Sequence, residues 1–119
     1  MLSLSLEDIK KKIEANEKFS AEIEDGSFSI IIEKYVPYIC TAIHNGDNVR
    51  EELSEKIALN KKERWIEEDP FTNEFIDALP IKLIANDSRF EYDLNRNPKS
   101  AIYDEAWGKK VWNTPLSKK

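Results

Sequence analysis

The chain has 119 residues, 40% of them hydrophobic and 34% charged, and a formal net charge of −5. That length suffices for one core, the composition is not that of a disordered tail, and acids interleaved with bases offer no coherent positive face, so nucleic acid is excluded as an expected partner. No stretch reaches the roughly 20 apolar residues of a membrane span, the first 16 residues lack the pattern of a secretory leader, and a lone cysteine with three glycines points to a reducing, cytoplasmic setting without disulfides or a Gly-rich phosphate loop.

In chain order, Ser5 followed by Glu7 and Asp8 reads as a helix N-cap, and Leu6, Ile9 and Ile13 follow at helical spacing, which predicts a helix over residues 6–16. Phe19, Ala21 and Ile23 alternate with polar residues, as do Phe28, Ile30 and Ile32 beyond Asp25-Gly26. Asp-Gly between two alternating runs predicts a β-hairpin closed by a type I′ turn. The nearly continuous apolar run VPYICTAI, residues 36–43, predicts a strand covered on both faces, with Pro37 holding its first residues at an edge. VREELSEKIAL reads as a short helix, and Asn60 with Glu63 as a capping box that opens another. Asp69-Pro70 ends that helix. FTNEFIDAL reads as an amphipathic turn or two, PIKLIAN as a second buried strand, and SRFEYDLNR as a segment that begins extended. AIYDEAWGKKVWN has helical character despite its glycine.

Strand, helix and strand in that order predict an α/β fold. The helices are few for a strand covered on both faces, and Trp107 and Trp112 sit close to the closing PLSKK with surfaces still to be buried. The expectation is a single incomplete domain over residues 1–119: a helix and β-hairpin extension over 1–35, then the front part of a larger α/β domain over 36–119. Apolar surface left exposed near the tryptophans would suit a homo-oligomer or another partner chain.

Three places carry candidate chemistry. His44, the only histidine, directly follows a strand and precedes Asn45-Gly46, a turn that would free its imidazole where α/β sheets gather functional groups. It reads either as a strand-capping residue that hydrogen-bonds nearby backbone or as a residue with a ligand or catalytic role. Glu67, Glu68 and Asp69 precede a helix-breaking proline, and acids at a helix C-terminus oppose its dipole unless a cation compensates. They read either as a solvated acidic face or as donors to a metal ion. Arg89 and the run Asp93-Leu94-Asn95-Arg96 offer a planar fork for a carboxylate, or an internal ion pair of Asp93 with Arg89 or Arg96.

His44-Asn45-Gly46, the acidic patch with Glu67 and Asp69, then Arg89 and the DLNR run together resemble the N-formylglutamate amidohydrolase family. The likeness covers residues 36–98, with DLNR its most specific part; the EDGSF hairpin and AWGKKVW extend it toward a bacterial subgroup. It implies a mixed-sheet, phosphorylase/hydrolase-like fold related to the zinc carboxypeptidases. It also implies a zinc-dependent hydrolase that converts N-formyl-L-glutamate and water to L-glutamate and formate in histidine breakdown. Carried onto this chain, His44 with Asp69 or Glu67 would bind zinc. Asn95 and Arg96 would hold a substrate carboxylate, Arg89 would be a second anion contact, and Asp93 and Asn45 would support them. A catalytic zinc ordinarily takes three protein ligands, and the family places a further histidine and its general acid/base glutamate downstream of DLNR, whereas this chain has no second histidine and ends twenty-three residues after Arg96. The resemblance therefore implies the first half of a site, inactive alone; the alternative is a non-catalytic carboxylate-binding or interaction module.

Overall fold

A computed structural model describes residues 1–114 and 116; the PLSKK end, Leu116 apart, lies outside them. The Ser5 hydroxyl accepts a hydrogen bond from the Asp8 amide at 3.1 Å and opens helix α1 (Leu6–Glu14). Strand β1 (Leu2–Leu4) precedes the helix and pairs in parallel with β2 (Phe19–Ile23). β2 pairs antiparallel with β3 (Phe28–Ile32). The apolar alternation puts Phe19, Ala21, Ile30 and Ile32 into one core with Ile9 of the helix and Ile81, the expected outcome of a period-2 pattern facing an amphipathic helix. The hairpin is as predicted, but its turn is not type I′. Gly26 has φ 78° while Asp25 keeps negative φ, and the Asp25 carboxylate accepts the Ser27 amide at 2.9 Å. This four-residue loop needs only its glycine in the left-handed region.

The main sheet has five strands in the order β1-β2-β3-β5-β4, where β4 is Cys40–Ala42 and β5 is Ile81–Ala85. β5 runs antiparallel to β3 and parallel to β4, so the fold is α/β with a mixed sheet, and the predicted hairpin shares that sheet with β5. The strand expected over residues 36–43 shrinks to three residues at the sheet's edge. Tyr38 and Ile39 are exposed, because an edge strand beside a single neighbour lacks the second cover that its apolar run suggests.

Between β4 and β5 run α2 (Glu51–Ser54), α3 (Lys61–Glu67) and a 3₁₀ turn (Thr72–Ile76). The Asn60–Glu63 capping box is present in both directions. The 3₁₀ turn is not amphipathic toward the interior, since Phe75 is 86% exposed and Phe71 is also solvent-facing. The segment expected to turn helical instead forms a second hairpin, β6 (Glu105–Ala106) and β7 (Lys109–Lys110). Its two-residue loop, Trp107-Gly108, has φ of 51° and 73°, the positive-φ pair that a primed hairpin turn requires. Trp112 is no surface residue: at 1% exposure it fills a second core with Leu59, Phe90 and Val111. No helix among the described residues is long and apolar enough to cross a membrane.

Candidate functional site

The chain leaves the parallel neighbours β4 and β5 at their carboxyl ends, the edge where α/β sheets present ligand-binding groups. His44 lies two residues beyond β4. Gly46 then crosses the segment that leaves β5 so closely that a Cβ on it would lie 2.0 Å from the Asn86 carbonyl carbon. Parallel bridges Gly46–Ser88 and Asn48–Asp87 join the two loops. The HNG sequence therefore has a structural reason beyond a sharp turn: only glycine permits this crossing. Asp69 arrives from the end of α3 and Asp93 from the loop after β5.

Asp93 is the hub. Its side chain has 0% exposure, and five donors converge on it. Oδ1 meets His44 Nε2 at 2.8 Å and accepts the Asn95 amide at 2.9 Å. Oδ2 accepts from Arg89 Nε and Nη2 at 3.1 and 2.9 Å and from the Tyr103 hydroxyl at 3.1 Å. Burial works against ionisation, but the hydrogen bonds from His44, the Asn95 amide and Arg89, with the charge of Arg89, bring the Asp93 carboxyl down to about 2. An ionised carboxylate only accepts, so the shared proton sits on His44 Nε2, and Nδ1 faces outward. Burial and the Asp93 charge push the Tyr103 hydroxyl up to about 12, so it remains a donor.

Nδ1 of His44 looks at Asp69 Oδ2 across 3.3 Å. That is long for a charge-assisted hydrogen bond, whereas two donors of one tetrahedral zinc at ordinary bond lengths lie roughly 3.3–3.4 Å apart. Asp69 is half exposed and held at φ 48° beside Pro70, with Phe71 at φ 65°. Two left-handed non-glycine residues around a proline aim this carboxylate back over the imidazole, the local strain that functional sites tolerate. The pair thus fits as two donors of a divalent-metal site, with the imidazole oriented from behind by a carboxylate, the usual outer partner of a ligating histidine. The described residues bring no third histidine, cysteine or carboxylate into metal-binding range of this pair.

The remaining predicted residues separate by what their polar groups touch. Arg89 has its donors engaged: beyond Asp93, Nη1 reaches the Glu67 carbonyl at 2.9 Å and approaches Asp69 Oδ2 at 3.5 Å. Its predicted ion pair with Asp93 is therefore present. Glu67 enters the site through that carbonyl. Glu68 is buried behind it, bound to Ser88 Oγ and to Arg64 Nε and Nη2 at 3.2 and 3.0 Å. Arg64 is thus the cation that compensates an acid at the helix C-terminus. Asn45 accepts the Asn73 amide at 3.1 Å and anchors the 3₁₀ turn. Asn95 is exposed next to Asp93. Arg96, 40% exposed, pairs loosely with Asp93 through Nε, 3.6 Å from Oδ2, and its guanidinium donates no hydrogen bond among the described residues. Sequence reasoning missed Tyr103 and Trp107, which complete the arginine environment: the guanidinium carbons of Arg96 and Arg89 lie 4.2 and 4.7 Å from their respective ring centres.

An α/β scaffold that delivers a carboxylate–imidazole–carboxylate line and two arginines to the carboxyl ends of adjacent parallel strands has the layout of a binding or hydrolytic site for a small anionic molecule. A family model described as N-formylglutamate amidohydrolase matches residues 36–116. The chain belongs to that family. The match starts beyond the first hairpin and runs through DLNR and AWGKKVW. No curated protein and no solved structure matches the chain.

Proposed function

We propose that this chain supplies the first part of the active site of a zinc-dependent, N-formylglutamate amidohydrolase-like enzyme with a zinc-carboxypeptidase-like fold, cleaving N-formyl-L-glutamate with water to L-glutamate and formate. The carrying observation is the line Asp69–His44–Asp93, with one imidazole nitrogen committed to a buried carboxylate and the other 3.3 Å from an exposed one. In this reading His44 Nδ1 and the Asp69 carboxylate hold the metal, Asp93 keeps the imidazole in the right tautomer, and Glu67 contributes its carbonyl to the Arg89 brace. When bound, zinc supplies Lewis-acid polarisation of the formyl oxygen and acidifies the attacking water. Arg96 offers its fork to a glutamate carboxylate, with the Asn95 amide group beside it. Arg89 contributes by holding Asp93 and Asp69 in place rather than by meeting the substrate.

A third ligand and a general base would have to come from outside the described residues. On this reading the protein hydrolyses N-formylglutamate no faster than buffer on its own. Calorimetry with zinc alone tests the metal half. The wild type is expected to bind one ion, and His44→Ala and Asp69→Ala each to weaken it at least about tenfold. Undiminished affinity in both would overturn the proposal. The donor count favours one second reading, a non-catalytic module that keeps only the carboxylate pocket. It expects Arg96→Ala to abolish dicarboxylate binding while His44→Ala leaves metal-free binding intact.

A further inference from the structure

We infer that Tyr103 is the positioning residue of the carboxylate subsite, its ring serving as the platform that holds the Arg96 guanidinium, which donates no hydrogen bond among the described residues, while its hydroxyl anchors that platform to Asp93. This rests on the reading of Arg96 as the carboxylate receptor. The Arg96 guanidinium carbon lies 4.2 Å from the Tyr103 ring centre. A guanidinium held by a ring face keeps its N–H edge available, and an arginine already held has less rotamer freedom to lose when a ligand arrives.

The platform is itself fixed from two directions. Its hydroxyl lies 3.1 Å from Asp93 Oδ2, the same oxygen that Arg89 grips and that Arg96 Nε approaches. Its ring meets Phe90 and Trp107 edge to face, with centroids 6.3 and 6.0 Å away and planes at 75° and 82°. Trp107 completes the triangle with Phe90 at 5.8 Å and 80°, and its ring faces Arg89. The AWGKKVW hairpin thereby joins the site: one aromatic stabilises the arginine that braces Asp93, and the other holds Arg96, the carboxylate receptor.

The test is a double-mutant cycle on the full chain, titrated with N-formyl-L-glutamate and with L-glutamate by calorimetry. Tyr103→Leu is expected to weaken binding about tenfold, and Tyr103→Phe, which keeps the ring, to restore it to within about threefold of wild type. A residue that acts through Arg96 adds nothing once Arg96 is gone, so Arg96→Ala/Tyr103→Leu should bind no worse than Arg96→Ala. Losses that multiply in the double variant would overturn the inference. A second measurement uses the folded wild type and Tyr103→Phe: the Arg96 δ-proton resonances should show an upfield ring-current displacement in both. Random-coil positions for those protons would overturn the inference regardless of affinity. If the displacement is present and the wild type binds neither ligand, the carboxylate reading of Arg96 fails, and the subsite with it.

Discussion

At Asp93 a buried negative charge is held by His44, Arg89, Tyr103 and one backbone amide. Its folded-state pKa, about 2, lies below the ordinary carboxylate value. The stabilisation is therefore fully present above roughly pH 4 and is lost as pH falls toward about 2. Urea unfolding at a series of pH values should show this acid limb in the wild type and a weaker one in Asp93→Asn. The same substitution leaves buried Arg89 with only the half-exposed Asp69 carboxylate, 3.5 Å away, and should cost about 3 kcal/mol at neutral pH. Equal midpoints for the two proteins would show that Asp93 does not hold the network. Gly46 offers a purely steric test. A Cβ there overlaps the Asn86 backbone, which cannot yield as a side-chain tip would, so Gly46→Ala should lose roughly 3 kcal/mol in thermal or denaturant unfolding. Most of this layer was legible in the sequence, because His44, Asp69, Arg89, Asp93 and Arg96 each carry a chemistry that a motif can mark. Tyr103 was not: a tyrosine in a tail of mixed pattern announces no contact until the chain's path brings it against Arg96 and Asp93.

Elements were legible where the deciding interaction is local. The Ser5 cap and the Asn60–Glu63 box involve residues three apart, and both formed as read. Asn60→Ala should therefore lower stability by about 1 kcal/mol, measurable as a shifted urea midpoint, with Asn60→Gly costing less. Turns were harder. Asp25-Gly26 has the composition of a primed two-residue turn but sits in a four-residue loop, whereas the primed turn occurs at Trp107-Gly108. A tryptophan at φ 51° is uncommon for a non-glycine residue. Here its ring packs on Phe90, Tyr103 and Arg89, and those contacts offset the backbone preference. Strand burial was the least legible property. VPYICTAI and PIKLIAN look alike as apolar runs, yet the second lies between two strands and the first at the edge, a difference set by pairing partners rather than by either run.

Across the molecule, the buried apolar residues fall into two cores. Ile9, Phe19, Ala21, Ile30, Ile32 and Ile81 form one, and Leu59, Phe90, Val111 and Trp112 the other. The radius of gyration is 15.8 Å, against roughly 13–14 Å for a compact domain of this length, so the two are spread along the molecule rather than merged. One covalent path joins them closely. β5 places Ile81 in the first core, and nine residues later Phe90 enters the second; between them lie Ser88 and Arg89, which carry the contacts to Glu68 and Asp93. If those contacts couple the cores, a defect in one must be felt in the other. Ile9→Ala removes buried apolar volume from the first core, at a cost of about 2–4 kcal/mol. The tryptophans Trp65, Trp107 and Trp112 lie outside that core, on α3, the second hairpin and the second core. Ile9→Ala should nonetheless move the tryptophan-fluorescence transition by as much as the far-ultraviolet circular dichroism transition, in one cooperative step. A fluorescence midpoint left in place while the dichroism midpoint falls would mean that the cores melt separately. The site would then be a junction between two units, and its geometry would depend on both being folded at once.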